Sequence, residues 1–445
     1  MTLIQTSNAY SQQFEDAERW RTAMPSPEWI SVIRRDAIDC FQESGFPDTR
    51  QEEWRFTNVA PIAEAAFEVD SPSALPQAAD LDEFRFAEQV WSELVFVNGR
   101  YVPVLSRLGA MDPRVQIGSL AAALSNGAGP LRDHLTRYAR YEGHAFRALN
   151  TAFIDDGAVL RIPPNVEVAE PIHLLFYSDP AGRPRMSNPR VLVVAGPNSR
   201  ARIVESYAGS ARSRYFTNAV TEFAVGPGAI IDHYRLQRES VQAFHVSTTE
   251  VRLARDSRFS SHSVTIGGGL VRNEVNVVLD GEGVDCTLNG VYLAGGDRLV
   301  DNHTAIDHAK PNCTSHEIYK GILGGRAKGV FNGKILVRPD AQKTDAKQTN
   351  KVLLLSDDSQ INTKPQLEIF ADDVKCTHGA TVGQLDEDSL FYLRSRGIDR
   401  EAARKMLIYA FAGDIVSRIA LDPVRSRLDA VLLSELAEGG MGANT

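Results

Sequence analysis

The chain has 445 residues, of which 43% are hydrophobic and 24% are charged, and its 57 acidic residues outnumber 48 Lys and Arg to give a formal net charge of −9. This mixture is typical of an ordinary globular protein and excludes a largely disordered chain. The acidic balance also argues against a general nucleic-acid-binding protein, because such proteins neutralise phosphates with clustered Lys and Arg.

The N-terminus and the cysteines predict a protein of a reducing, cytoplasmic compartment. Residues 1–14 are rich in Gln, Ser and Asn and lack the apolar stretch of a signal peptide. Nowhere do about eighteen apolar residues run together, as a membrane-spanning helix requires. The four cysteines are widely spaced, without a Cys-x-x-Cys pair: Cys40, Cys286, Cys313 and Cys376. We therefore expect reduced thiols and no cluster held by this chain alone, since that usually takes four thiolates.

Residues 1–105 are predicted to form a helical region with a linker. Ser26 is placed to cap a helix whose first position is Pro27, and Gly45 is placed to end it. Apolar side chains follow at helical spacing: Ile30, Ile33, Ala37 and Phe41. The stretch before Asp82 is rich in Ala, Pro, Ser and Asp, which is typical of a surface segment.

Residues 106–383 are predicted to form a β-solenoid. Short runs of Val, Ile, Leu and Thr alternate there with Gly, Asp, Asn and Pro. Strand-end signals recur at Leu279, Leu293, Ile306, Ile322, Val337, Leu355 and Ile369. Alternate signals lie about thirty residues apart, which is typical of stacked coils with two strands each. A β-sandwich is the alternative, but the strand pattern continues for longer than a usual sandwich, so the spacing favours the solenoid.

Residues 384–445 are predicted to form a helical hairpin and a tail. Asp386 and Asp399 are placed to cap two helices, and Gly397 lies between them where a left-handed residue is needed. The second helix has one predicted apolar stripe: Met406, Leu407, Ala410, Phe411, Ile415 and Ile419. The stripe either packs onto the β domain or docks a partner, and the pattern alone favours packing.

Cys376 and His378 are a cysteine and a histidine, both possible ligands of a soft metal, that lie close together in the sequence. They lie two residues apart in a predicted strand, so both side chains project to the same face. Such a pair could bind a soft metal, or act as nucleophile and base. The alternative is a half-buried cysteine beside a hydrogen-bonded histidine, and the pattern alone favours it.

A second set of residues has the ligand types of a zinc site: His303, His308, Cys313 and His316. Their spacing does not match a zinc finger, in which the ligands of each arm lie two to five residues apart. We therefore expect structural roles for these four residues. A standalone metalloprotein that uses them is kept as an alternative, which metal analysis of the purified chain would test.

Two acidic pairs, Asp357-Asp358 and Asp372-Asp373, could be the carboxylates of a β-helix carbohydrate-active enzyme, or calcium ligands. Asp is common in turns for backbone reasons, and this explanation is favoured. The glycine-rich segment 324–334 lacks the Gly-x4-Gly-Lys-Ser/Thr pattern of a phosphate loop. We expect no nucleotide hydrolysis by this chain.

Several long motifs resemble the SufB/SufD family of the Suf iron-sulfur cluster assembly system, and its SufD branch in particular. They are FNGKILV, KTDAKQTNKVLLL, TKPQLEIFADDVKCTHGATVGQLD, LFYLRSRGI and LIYAFAGDI between Phe331 and Ile419, with EEWRFT at Glu52–Thr57. The SufB paralogue has Glu-His-Glu after the cysteine, whereas this chain has Thr-His-Gly at Thr377–Gly379. The resemblance implies a right-handed parallel β-helix flanked by N-terminal and C-terminal α-helical regions.

The resemblance also implies partners. A SufD-like subunit pairs with SufB through the β-helix and binds the ATPase SufC through the C-terminal hairpin. The resemblance therefore favours partner docking by the hairpin, whereas the pattern alone favoured packing onto the β domain. The implied SufC-contacting residues are Asp386, Leu390, Phe391, Tyr392, Arg394, Arg396, Gly397, Met406, Tyr409 and Phe411. His378, with Cys376 less certain, matches the place where a nascent cluster is held at the SufB interface.

We therefore predict a non-enzymatic scaffold that assembles and transfers iron-sulfur clusters. No cofactor is expected to remain bound to the isolated chain, and a transient iron-sulfur cluster is expected in the complex with SufB. An unpaired β-helix edge predicts a homodimer when the chain is made alone. A carbohydrate-active enzyme and a SufB-like paralogue are the alternatives, and neither a nucleic acid nor a membrane is an expected partner.

Overall fold

A computed structural model describes residues 3–21, 26–65, 67–69, 75–86, 90–127, 131–180 and 182–437. Its N-terminal elements are α1 (Leu3–Arg21), α2 (Glu28–Ser44), α3 (Ala60–Glu64), β1 (Glu68–Val69), β2 (Ser92–Val97), β3 (Arg100–Tyr101), β4 (Gln116–Ser119), α4 (Leu120–Ser125) and α5 (Ala145–Ala152). The described part of residues 106–156, a range that the sequence division grouped with the β-helix, thus contains one short strand and two helices. None of the helices in these described ranges combines the length and apolarity that crossing a membrane requires.

The helix predicted after Ser26 is confirmed, with a small correction at its start. α2 begins at Glu28 with Pro27 in the capping position, and no side chain caps it, so Ser26 does not have the predicted role. The helix ends where predicted, because Gly45 has φ +62° and its N–H donates to Phe41 O at 2.8 Å. The buried face of α2 packs with α1, α3 and α5, and this group covers strands on the outside of the solenoid.

The solenoid consists of two parallel sheets. Sheet A stacks β5 (Gly157–Ile162), β8 (Arg190–Ala195), β10 (Tyr215–Val225), β12 (Phe244–Leu253), β14 (Leu270–Leu279), β16 (Leu299–His308), β18 (Lys328–Val337) and β20 (Gln360–Ile369). Sheet B stacks β6 (Ile172–Ser178), β9 (Arg200–Gly209), β11 (Ile230–Arg238), β13 (Arg258–Thr265), β15 (Asp285–Ala294), β17 (Thr314–Leu323), β19 (Asp345–Leu354) and β21 (Lys375–Gly383). The short β7 (Arg185–Ser187) joins β1 to β10. The described chain therefore makes about eight coils, each with one strand in either sheet.

The predicted repeat near thirty residues is confirmed. From β8 onward, partners in register lie 26 to 32 residues apart, as in the pairs Phe244–Leu270 and Lys328–Gln360. Three predicted strand ends, Leu279, Val337 and Ile369, are the last residues of their strands. The turns are local and the coils stack on their neighbours, so a regular spacing of turn residues was enough to predict the architecture.

The interior between the sheets contains an apolar core that extends over several coils. Its core includes Val193, Ile203, Phe223, Ile231 and Phe259, none of them more than about 1% exposed. Parallel strands in register place equivalent side chains above one another, so each interior position becomes a file of side chains along the solenoid axis. Polar residues also enter these files from the second and third coils onward: Glu205 on β9 and His233 and Arg235 on β11 are at most 3% exposed.

Up to residue 437, where the described chain ends, three helices follow the last strand: α6 (Glu387–Ser395), α7 (Arg400–Val416) and α8 (Asp422–Ala437). The predicted caps are confirmed, since Asp386 accepts from Ser389 N–H, Asp399 accepts from two backbone N–H groups, and Gly397 has φ +86°. The hairpin prediction missed α8. The predicted tail after residue 437 lies outside the described residues.

The predicted apolar stripe of α7 is wrong in part. Met406 is 50% exposed, whereas the buried residues of the segment are Ala403, Ile408, Ala412, Ile415, Val416 and Ile419. Helix α7 packs against both α8 and the outer face of sheet B, and together they form one apolar cluster. The pattern of α7 alone could not specify a face that two different neighbours define.

Candidate functional site

The solenoid ends in an open coil. In the described part of the chain, β20 pairs only with β18 and β21 pairs only with β19, so each has an edge whose N–H and C=O groups lack a strand partner. Apolar side chains are exposed beside these edges: Ile369, Phe370 and Val382 are 39%, 62% and 45% exposed. Unpaired edges with apolar neighbours are typical of surfaces that another chain covers.

Cys376 and His378 lie on the last strand of this open coil. Cys376 is in register with Ala346 and His378 with Gln348, and both of these partners are buried in the interior. In-register neighbours share a face of the sheet, so Cys376 and His378 project to the interior side of β21. His378 is nevertheless exposed, because the described chain places no further coil above it.

The two side chains have different surroundings. Cys376 packs against the apolar cluster of Ile335, Val337 and Ala346, and this burial raises the pKa of its thiol. It is therefore a protonated thiol near neutral pH until a metal ion displaces the proton. His378 has open access to solvent or to a partner, which makes it the more accessible side chain of the pair.

The described residues do not form a complete metal site. No group of three or more His, Cys, Asp or Glu in the described ranges is arranged to hold a metal ion. A thiol and an imidazole are suitable ligands for iron in a cluster, but they supply only two of the usual four. The donor set fits a cluster whose remaining ligands come from another chain.

The second set of possible ligands, for which structural roles were expected, is not brought together. His303 faces outward from sheet A, 3.0 Å from Asp301, whereas His308 is buried and contacts Ser315 Oγ at 2.8 Å. Burial disfavours the charged ring of His303, but the Asp301 carboxylate outweighs this effect and raises its pKa to about 9. A protonated imidazole cannot bind a metal.

The other two members of that set point elsewhere. Cys313 is buried in the turn before β17 with its Sγ 3.2 Å from Gly281 O, and His316 is exposed on the outside of sheet B. All four residues therefore have structural surroundings or open solvent, as the sequence analysis favoured. The acidic pairs Asp357-Asp358 and Asp372-Asp373 lie in turns between strands, which the sequence analysis also favoured.

The residues implied to contact an ATPase divide into two groups. The first group is exposed on α6 and the following loop, with Met406 on α7: Phe391, Tyr392, Arg394, Arg396, Gly397 and Met406. Phe391 and Tyr392 are 72% and 58% exposed, which is unusual for adjacent aromatic residues. Asp386 is used as a helix cap and Leu390 is buried, so these two support the helix.

The second group attaches the helices to the solenoid. Phe411 lies under the Lys320 ammonium, 4.6 Å from Nζ to the ring centroid, and Lys320 also pairs with Asp414 at 2.6 Å. Tyr409 donates to Asp429 at 2.9 Å and so joins α7 to α8. Sequence analysis missed Lys320, because nothing local distinguishes this strand residue from a solvated lysine.

The fold and the site together define a β-solenoid protein with a cysteine and a histidine, two residue types that bind metals, at an unpaired edge of the described sheet. Comparison with known proteins identifies the family. Residues 176–411 match the profile described as SUF system FeS cluster assembly, SufBD core domain, and residues 4–174 match the SufBD protein N-terminal region. The chain therefore belongs to the SufBD family of iron-sulfur cluster assembly proteins.

Individual relatives agree with this assignment. An iron-sulfur cluster assembly SufBD family protein of Synechocystis sp. is 36% identical over 89% of this chain and 88% of its own length. The iron-sulfur cluster assembly protein SufD of Escherichia coli is 29% identical over 89% of this chain and 90% of its own. The iron-sulfur cluster assembly protein SufD of Bacillus subtilis is 24% identical over 97% of this chain and 98% of its own length. The similarity spans nearly the whole length of each relative.

Proposed function

We propose that this chain is a scaffold subunit, without catalytic chemistry of its own, that pairs with SufB and binds the ATPase SufC to assemble and transfer iron-sulfur clusters. The observation that supports it most is the position of Cys376 and His378 on the open last coil. A strand of a partner that pairs with this edge would bring its own ligands beside them. The cluster would be cargo, with His378 and Cys376 as the ligands from this chain and the remaining ligands from the partner.

A scaffold that transfers its iron-sulfur cluster benefits from supplying only some of the cluster's ligands. A cluster held by four thiolates of one chain is stable, whereas ligands divided between two chains are separated when the interface rearranges. His378 would coordinate as a neutral imidazole, and Cys376 as a thiolate after it loses its proton. ATP turnover by SufC would supply the rearrangement.

The open coil predicts the oligomeric state. We expect the isolated chain to be a homodimer by light scattering, and co-expression with SufB and SufC of the same genome to replace the homodimer by a mixed complex. Val382→Asp combined with Phe370→Asp should abolish both associations, because a charge is costly inside an apolar interface.

The matched control is Val241→Asp, which alters a valine between β11 and β12 that is 55% exposed, compared with 45% for Val382. It should leave both associations unchanged. A wild-type chain that is monomeric at micromolar concentration would contradict self-pairing, and a complex that tolerates the double variant would contradict pairing through the open coil.

The exposed aromatic pair on α6 is the proposed contact with SufC. Replacing Phe391 and Tyr392 by alanine should weaken binding of the ATPase by about tenfold or more, since aromatic anchors dominate interface energies. Leu433→Ala, on α8 and 54% exposed, is the control and should bind normally. The measurement is titration of purified SufC into the chain, and equal affinities of the two variants would refute this contact.

A further inference from the structure

A file of polar side chains runs along the interior of sheet B to His378. Glu317 on β17, Gln348 on β19 and His378 on β21 are directly in register. Glu317 and Gln348 are 1% and 2% exposed, so both are enclosed in the solenoid. Neighbouring strands lie about 4.8 Å apart, which puts Gln348 within hydrogen-bonding reach of the His378 ring.

In the amide of Gln348, the nitrogen is hydrogen-bonded and the oxygen is not. Its Nε2 donates to Glu317 Oε2 at 2.7 Å, whereas its Oε1 is buried without a hydrogen-bond partner in the described structure. A carboxylate can only accept, so Glu317 fixes which end of the amide faces it and leaves the carbonyl oxygen free. An unpaired buried acceptor is costly, which indicates that a donor next to it pairs with this oxygen, and His378 is in register with Gln348 on the adjacent strand.

The opposite sheet provides space for this amide. Gly333 on β18 faces Gln348 across the interior, and a Cβ at Gly333 would lie 2.2 Å from Gln348 Nε2. Any larger residue would therefore displace the side chain. Gly333 belongs to the FNGKILV motif. This motif and Gln348 therefore line the same part of the interior, next to His378.

We propose that Gln348 is a positioning residue for His378: its Oε1 accepts the N–H of one ring nitrogen and leaves the other nitrogen unprotonated toward the interface. Glu317 acts through Gln348 by holding the amide in this orientation. Histidines that bind metals usually donate their second N–H to such an acceptor, which fixes the tautomer and the ring orientation. The role of His378 as a ligand rests on the proposed function, whereas its tautomer can be tested without any metal.

The test compares Gln348→Met with Asn350→Leu. Asn350 lies on the same strand and the same interior face, is 1% exposed and bonds Thr363 Oγ1 at 3.0 Å, but its register partner is Ala380. Both variants remove a buried amide, so they should lose comparable stability. Only Gln348→Met removes the acceptor beside His378.

The readout is the ¹⁵N shifts of the imidazole nitrogens in the isolated, histidine-labelled chain, with His378→Ala to assign the signal. Burial raises the pKa of Glu317 to about 7. The spectra are therefore recorded at pH 8, where this carboxylate is ionised. The wild type and Asn350→Leu should show one dominant tautomer of His378, and Gln348→Met should lose a preference of about fivefold.

An unchanged His378 tautomer in Gln348→Met would overturn the proposal, as would an equal change in Asn350→Leu. In the complex with SufB and SufC, Gln348→Met should retain about tenfold less iron than Asn350→Leu. If His378→Ala itself retains its iron there, the ligand role of His378 fails while the tautomer result still decides the positioning by Gln348.

Discussion

Replacing His378 by alanine is expected to lower the iron-sulfur content of the anaerobically purified complex with SufB and SufC by at least about tenfold. Loss of a residue that merely orients a ligand already costs about 10- to 100-fold in metal affinity, and loss of the ligand costs no less. The side chain is exposed at the open coil, so its removal leaves the packing of the solenoid intact. The measurements are iron and sulfide content and maturation of a client apoprotein.

His316→Ala is the matched control. His316 is also exposed and lies on β17 of the same sheet, but it projects from the outer face, away from the open interior. It should leave cluster content unchanged. If His378→Ala assembles the complex with full cluster content and client maturation, the cluster is held by SufB alone and this chain is a structural partner.

Glu222→Ala is expected to lower the free energy of unfolding by about 3–5 kcal/mol, because it leaves a buried charge without its partner. Arg190 and Glu222 are both 0% exposed, and Arg190 Nε lies 3.1 Å from Glu222 Oε1. Glu222 also accepts the backbone N–H groups of Thr136, Tyr138 and Ala139 at 2.9 to 3.0 Å. One carboxylate therefore fastens the segment 131–140 to the outside of sheet A.

Denaturant unfolding of the isolated chain measures this effect, and two variants bracket it. Glu222→Gln keeps the size and an acceptor oxygen and should cost less than Glu222→Ala. Asp297→Ala breaks the exposed pair with Arg326, whose side chains are 71% and 65% exposed, and should leave the unfolding midpoint nearly unchanged. Equal midpoints for Glu222→Ala and Asp297→Ala would show that the buried pair does not stabilise the fold.

Features that depend on neighbours in the chain could be predicted from the sequence. The helix caps at Asp386 and Asp399 and the coil repeat all follow from side chains and turn residues within a few positions of one another. The family motifs were equally local, because they are uninterrupted stretches of sequence. The profile match over residues 176–411 agrees with them.

Features that depend on distant contacts were missed or only partly predicted. Helix α8 has buried Val424, Leu428 and Leu432 at regular spacing, yet only its contact with α7 and sheet B shows that this face is covered. Gln348 was not singled out, because a glutamine in a strand is ordinary until its neighbours Glu317 and Gly333 are known.

The candidate site shows where the division lies. The sequence by itself determined that Cys376 and His378 share a face, because side chains alternate along a strand with a period of two. Only the tertiary structure decided that this face is the interior one and that the described stack of coils ends there. Alternation is a property of one strand, whereas the position of an open coil depends on pairing between strands about thirty residues apart.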